Sequence, residues 1–239
     1  MKDASKHWSL KETLVVIPAF NEERDLGGVI KQVKALGDFD VLVVNDGSTD
    51  RTACVARESK AAVLTLSQQL GAWGALQTGL RYALRKGYRY VLTMDADGQH
   101  EAVWIWQMLQ PVISGNADVS IGSCVQRGSR ARKLAWVMLK AASGLTMQDI
   151  TSGFRVYNEK AIALLAGRNA TLLDYQDVGV LAQLNNAGLR ITDVEVTMLP
   201  RSNGTSRVYH SWLVVASYMM HTLLLGISKR KVRHRKAAL

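Results

Sequence analysis

Tyr90-Val91-Leu92-Thr93-Met94-Asp95-Ala96-Asp97-Gly98-Gln99-His100 is the stretch on which the fold turns. An apolar run with β-branched residues reads as a buried strand. Asp97-Gly98 reads as the turn that ends it. Two carboxylates, one residue apart, therefore sit at the carboxyl end of an inner strand. In open α/β sheets that edge is where ligands bind. Neighbouring carboxylates repel unless a cation joins them. A hard divalent cation takes oxygen ligands and usually bridges one or two carboxylates to substrate phosphates. The pair thus has two readings, a metal–diphosphate site or a solvated acidic turn, and on its own it does not separate them.

Upstream, the same strand–helix pattern repeats. Thr13-Leu14-Val15-Val16-Ile17-Pro18 is an apolar run stopped by proline, hence a buried strand. From Asp25, the residues Leu26, Val29, Ile30, Val33 and Leu36 have helical spacing, closed by Gly37. Val41–Val44 predicts a second strand, Thr49 or Asp50 through Arg57 a second helix, and Ala62–Leu66 a third strand. Gly71–Arg85 predicts a third helix, ended by Gly87 just before the Asp95 strand. Strands alternating with helices imply a parallel sheet with right-handed crossovers.

Asn21-Glu22, Asp46 and the Asp95/Asp97 pair then fall at one edge of that sheet. Asp46 can accept from a nucleobase or ribose hydroxyl, or it is a turn residue before Gly47. Gly71, Gly74 and Gly79 permit close approach to a ligand or close helix–sheet packing. Neither GxGxxG nor GxxxxGKS is present, which disfavours dinucleotide and P-loop sites.

The composition is consistent with this architecture. At 239 residues and 48% hydrophobic, the chain can build one large core, or a domain with a small appendage. Cys54 and Cys124 lie far apart, which argues against a disulfide framework or a zinc site and fits a reducing compartment. The first residues lack an apolar h-region, so no secretory signal is expected. The net charge of +10 favours anionic partners. No basic recognition helix with base-reading residues is visible, which weighs against nucleic acid.

Taken together, Val15–Glu23, Val44-Asn45-Asp46-Gly47-Ser48-Thr49-Asp50 and Met94–His100 resemble the family 2 glycosyltransferases. Within that family they are most similar to the polyprenyl-phosphate sugar synthases, such as dolichyl-phosphate mannose synthase and its bacterial relatives. The resemblance implies a GT-A fold, an α/β domain with a mostly parallel central sheet flanked by helices. It implies that Pro18, Ala19, Asn21 and Glu22 contact the nucleotide and that Asp46 holds its base. Gly74, Asp95 and Ala96 complete the nucleotide-binding set. Asp95, Asp97 and Gln99 would bind Mg2+ or Mn2+ against the diphosphate of a UDP- or GDP-linked sugar. Asp97 would then belong to the catalytic machinery.

Downstream, Val103–Ile113 predicts a helix in which Trp104 and Trp106 serve packing. Asp118–Ser123 predicts a strand. The family's usual arginine after Gly-Ser is here Cys124, and Arg127, in a cation-rich loop, is the candidate to replace it. Leu134–Ala142 predicts a short helix. Asp149-Ile150-Thr151-Ser152-Gly153-Phe154-Arg155 resembles the family's acceptor-side motif, so Ser152 and Arg155 are candidates to hold an acceptor phosphate. A structural pairing of Arg155 with Asp149 is the alternative. Ile162, Leu164 and Leu165 mark a helix, Val178–Asn186 another, and Ile191–Thr197 a last strand. Asp177 corresponds to the acid that many relatives use as base, although Gly179 departs from the pattern of some. Arg201 and Arg207 lie in a stretch similar to the family's mobile loop, which closes over the diphosphate.

The expected organisation is an extension over 1–11, a GT-A domain over 12–208, an apolar helix over 209–228 and a basic tail over 229–239. Trp212–Ile227 is too short for a spanning helix and reads as interfacial or packed. Followed by Lys229–Lys236, it suits an anionic membrane surface. The expected protein is a metal-dependent inverting glycosyltransferase of cell-envelope glycan synthesis. It would be cytoplasmic, peripherally bound to the membrane, and would act on a polyprenyl phosphate or a lipid-linked saccharide. Two alternatives are a sugar-hydroxyl acceptor with Asp177 as base, and a sugar-nucleotide-binding protein without catalysis. Nothing in the sequence fixes the sugar, the base or the oligomeric state.

Overall fold

Successive residues of an extended chain point to opposite faces of its sheet, and both faces of this one are covered. A computed structural model of the protein describes residues 8–124, 147, 149, 152–171 and 178–199. The chain runs β1 (Thr13–Ala19), α1 (Leu26–Ala35), β2 (Asp40–Asn45), α2 (Thr52–Glu58), β3 (Ala62–Thr65), α3 (Gly71–Lys86) and β4 (Tyr90–Thr93). It continues with a 3-10 turn (Ala102–Trp104), α4 (Ile105–Ile113), β5 (Val119–Ser123) and β6 (Arg155–Asn158). Then come α5 (Glu159–Ala166), α6 (Arg168–Thr171), α7 (Val178–Asn186) and β7 (Ile191–Glu195).

The strands form a seven-stranded sheet ordered β3-β2-β1-β4-β6-β5-β7. Leu14 and Val16 of β1 join the apolar layer that contains Leu76 and Leu80 of α3, Ile162 of α5 and Leu181 of α7. Val15 and Ile17 join the opposite layer, with Val29 of α1 and Met108 of α4. Burial on both faces explains why β1 and β2 read as continuous apolar runs. Gly79 lets α3 close onto β1, since a Cβ there would lie 2.4 Å from Val16 Cγ1. That glycine therefore serves helix–sheet packing.

Strands β1 to β4 are mutually parallel, as the alternation requires. Strand β6 departs from the pattern. It pairs antiparallel with both β4 and β5, while β7 returns parallel to β5. In the sequence it begins on the last residue of the Ser-Gly-Phe-Arg motif and runs for only four residues, too short for a clear strand signal. Reversal has one consequence for function: the amino end of β6 lies at the edge where β1, β2 and β4 end.

Smaller differences are local. The predicted helix over 103–113 begins as the 3-10 turn. Arg51 takes the N-cap position of α2, yet Asp50 Oδ1 still accepts the Thr52 N–H at 2.9 Å. The predicted helix over 134–142, the apolar segment over 209–228 and the basic tail lie outside the described residues. Among the described residues, no helix is long and apolar enough to cross a membrane.

Candidate active site at the carboxyl edge of the sheet

Three adjacent strands, β2, β1 and β4, deliver the first polar residues to one edge. The loops after β1 and β2 are joined to each other. The Asn21 N–H donates to Ser48 Oγ and the Glu22 N–H to Thr52 Oγ1. The Thr49 N–H donates to Asn21 Oδ1 at 2.8 Å, the Glu23 N–H to Asp50 Oδ2, and the Arg51 N–H to Glu23 Oε2. Asn21 has φ +54°, a left-handed conformation that asparagine adopts more readily than most residues. Asn21 and Glu22 are thus part of a rigid double loop. Desolvation works against the Asp50 carboxylate, but the Thr52 hydroxyl, the Thr52 N–H and the Glu23 N–H outweigh it and hold Asp50 below its ordinary pKa.

Asp46, buried, accepts from the Leu70 N–H at 2.7 Å and the Gly71 N–H at 2.9 Å. A carboxylate there satisfies donors at the start of α3 and faces the positive end of its dipole. Burial pushes its pKa up, opposed by those two N–H groups. Asp46 therefore fixes α3 to β2, a role that its sequence position did not reveal. Gly74 follows from the same turn, since a Cβ on it would lie 2.5 Å from Leu70 Cβ. The Ala19 and Ala96 side chains belong to the apolar layer, and the Ala19 carbonyl accepts the Asp46 N–H. Pro18 is partly buried beside them.

The loop after β4 carries the carboxylate pair. Asp95 leaves 45% of its side chain exposed, while Asp97 and Gln99 are buried. Asp97 Oδ1 accepts the Gln99 N–H at 3.1 Å, and Gly98 has φ +74°, which makes the expected turn. The Leu199 N–H donates to the Gln99 carbonyl at 3.0 Å, and Gln99 Nε2 donates to the Leu199 carbonyl at 3.4 Å. His100 forms an isolated antiparallel bridge with Met198. The carboxylate loop is thereby strapped to the chain that leaves β7 towards Arg201.

The donor set suits a hard cation: a half-buried carboxylate, a buried carboxylate two residues on, and a buried amide. Among the described residues, no group of three His, Cys, Asp or Glu is placed to hold a metal. Two carboxylates with the remaining positions left to phosphate and water are what Mg2+ normally takes.

Strand β6 brings the acceptor-side motif to the same place. Thr93 Oγ1 donates to the Gly153 carbonyl at 2.7 Å. A Cβ on Gly153 would lie 2.7 Å from Asp95 Oδ1, so any side chain there would push the Asp95 carboxylate aside. Ser152 is buried, its hydroxyl accepting the Phe154 N–H. Arg155 is fully buried, which differs from the outward-facing fork expected of a phosphate ligand. Asp149 is buried as well, and Cys124 is buried at the end of β5. Arg127, Asp177, Arg201 and Arg207 lie outside the described residues.

His100, Thr93 and Gly153 were not singled out by the sequence. A histidine after Gln99 has no spacing signal, and the glycine's reason lies far away in the chain, on Asp95.

A family model described as Glycosyl transferase family 2 matches residues 14–165. The polyprenol monophosphomannose synthase of Mycolicibacterium smegmatis is 30% identical, over 83% of this chain and 81% of its own. The undecaprenyl-phosphate mannosyltransferase of Micrococcus luteus is 26% identical, over 91% and 95%. Among solved structures, glucosyl-3-phosphoglycerate synthase from Mycobacterium tuberculosis, with Mn2+, uridine diphosphate and phosphoglyceric acid, superposes with a TM-score of 0.69. It is 20% identical and the match covers 94% of this chain and 83% of that one, a likeness of fold.

Proposed function

This chain belongs to glycosyl transferase family 2 and is a glycosyltransferase of GT-A fold; on that premise we propose that it transfers a sugar, with inversion, from a nucleoside diphosphate to a polyprenyl phosphate. The observation that carries the reading is the meeting of half-buried Asp95 with the Ser152-Gly153-Phe154 backbone at one sheet edge. Relatives named for polyprenol and undecaprenyl-phosphate mannosyl transfer support the acceptor class.

Pro18, Ala19, Asn21, Glu22, Asp46 and Gly74 would line the nucleotide, presenting mostly backbone groups held by the double loop. Asp95, Asp97 and Gln99 would hold Mg2+ or Mn2+; the Mn2+ and uridine diphosphate of the M. tuberculosis synthase support that pairing. When bound, such a cation neutralises charge on a departing diphosphate. Arg201 and Arg207 would add positive charge there once their loop closes. Arg127 and Ser152 would orient the acceptor. Arg155, enclosed in the protein, is assigned a positioning role in place of direct phosphate contact.

The acceptor oxygen forms a bond to the anomeric carbon as the bond to the diphosphate breaks. A phosphate monoester has a second pKa of about 6, so its oxygen is already anionic near neutral pH and needs no strong base. The Trp212–Ile227 segment and the cations of Lys229–Lys236 would keep the enzyme on the cytoplasmic face of an anionic membrane. Deleting residues after Arg230 is expected to weaken binding to anionic vesicles, and unchanged sedimentation with them would remove that part of the reading.

The decisive experiment incubates the full chain with labelled UDP- and GDP-sugars, Mn2+ and a polyprenyl phosphate. Labelled lipid plus one nucleoside diphosphate is the expected result. Release of pyrophosphate, or label found only in free sugar, overturns it.

A further inference from the structure

His100 is 1% exposed, and its ring lies on that of Phe154, 5.1 Å between centroids and 19° from parallel. Its Nδ1 accepts the Asp95 N–H at 2.9 Å. A nitrogen that accepts carries no proton, so the ring proton belongs on Nε2. That Nε2 has no hydrogen-bond partner among the described residues, and Asp95 Oδ2 lies 3.6 Å from it. The separation is too long for a hydrogen bond. A buried donor without an acceptor is unfavourable until one arrives. Asp95 Oδ1 meanwhile has the Gly153 backbone against it. One histidine is thus bonded to the Asp95 main chain, lies beside its carboxylate, and is braced by Phe154.

We propose that His100 is a positioning residue for the cation ligand Asp95, its Nε2–H being the donor to whichever Asp95 oxygen is turned away from the metal. This rests on the assignment of Asp95 and Asp97 as the metal site. Ligating carboxylates are held by such outer hydrogen bonds, and losing one typically weakens metal binding 10- to 100-fold. A histidine kept for packing alone would be replaceable by phenylalanine without loss of metal affinity. The geometry also joins the two motifs, since Phe154 supports the ring that supports Asp95.

The test is Mn2+ binding to the full chain, followed by the free-ion EPR signal with UDP or GDP present. Three variants separate the roles of the ring. His100→Asn keeps an acceptor at the Nδ1 place and lacks the outer donor. His100→Gln returns an N–H near the Nε2 place, and His100→Phe keeps only bulk and stacking. His100→Asn and His100→Phe are expected to bind Mn2+ about tenfold more weakly, while His100→Gln stays near wild type. Where His100→Phe does not fold, judged by circular dichroism, the Asn and Gln pair carries the comparison. Wild-type affinity in His100→Asn, or equal loss in His100→Asn and His100→Gln, overturns the proposal. Asp97→Ala is the control. If it leaves Mn2+ binding unchanged, the metal site itself is wrongly assigned, a failure distinct from that of His100.

Discussion

The two halves of the sheet fasten themselves differently: the first is clamped at both ends of its strands, with Asp40 holding Lys11 and Tyr88 and Glu12 holding Arg89 at the amino end. The second carries its largest clamp away from the site. In the half built from β1 to β4, side-chain clamps lie at the carboxyl edge, where Asn21, Glu23, Ser48, Asp50 and Thr52 tie the loops together and Asp46 ties β2 to α3. In the half built from β5 to β7, the main clamp lies at the other end. Asp118 accepts from the Arg190 N–H at 2.8 Å, from Arg190 Nε at 3.2 Å and from Asn158 Nδ2 at 2.9 Å. The first half presets the edge where ligand binds. The second half also ties Ser123 of β5 to Asp193 of β7 nearer that edge, so it is at Asp118 that stability and chemistry are separable.

The largest expected effect comes from the carboxylate loop. Asp97→Ala should lower sugar transfer by about a thousandfold, the scale of losing a charge-stabilising group in the transition state. Labelled-lipid formation measures it, and activity within tenfold of wild type would mean that the first half's edge is not the metal site. Next is Gly153→Ala, which tests whether the halves meet at Asp95. Its methyl group would press on Asp95 Oδ1. A displacement of about 1 Å at a positioned group costs about a hundredfold. The loss should appear in kcat and in Mn2+ affinity. A rise in the KM for polyprenyl phosphate alone would confine Gly153 to acceptor binding.

How much of this was legible follows the same division. Strands β1 to β4 are apolar runs between turn residues, and Gly37 and Gly87 close α1 and α3, so local chemistry and global fold agree. The second half gives weaker signals. Strand β6 spans only Arg155–Asn158, begins with a charged residue, and is a strand because β4 and β5 flank it. Asp95 and Asp97 stood out as paired carboxylates after an inner strand, but a solvated turn reads the same way, and only the joint resemblance of the three motifs favoured a metal site. Gly153 did not stand out, because its reason is Asp95, far away in the chain. Nor did His100, because the turn that folds its ring back onto Asp95 and against Phe154 leaves no mark in the spacing. Asp46 was found for its position, and its hold on Leu70 and Gly71 is a tertiary fact.

A third, smaller effect probes the far clamp. Desolvation raises the Asp118 pKa, but the Arg190 N–H, the Arg190 guanidinium and Asn158 together hold it below the ordinary 3.8. The folded state thus binds fewer protons than the unfolded one in that range. The stabilisation is complete above the unfolded value and is lost as pH falls through the depressed folded one. Asp118→Asn should cost about 1.5–3 kcal/mol at pH 7, the range for hydrogen bonds to a charged group. In urea melts, that difference should shrink below pH 4. Transfer per folded molecule should stay at the wild-type level. A large fall in specific activity would break the separation of clamp from site.

The smallest effect is expected at Asp177, and its size decides what the second half does at the site edge. A phosphate acceptor arrives already ionised, so replacing Asp177 by Asn removes no necessary proton acceptor. Transfer to polyprenyl phosphate should then fall only about threefold, well below the 10²- to 10⁴-fold contribution typical of a general base. A hydroxyl acceptor would need that base and would lose most of its rate. If Asp177→Asn lowers transfer to a phosphate by a hundredfold or more, proton removal is part of the reaction. The acceptor half would then supply chemistry and not only orientation, and the contrast between a chemically active first half and a positioning second half would have to be abandoned.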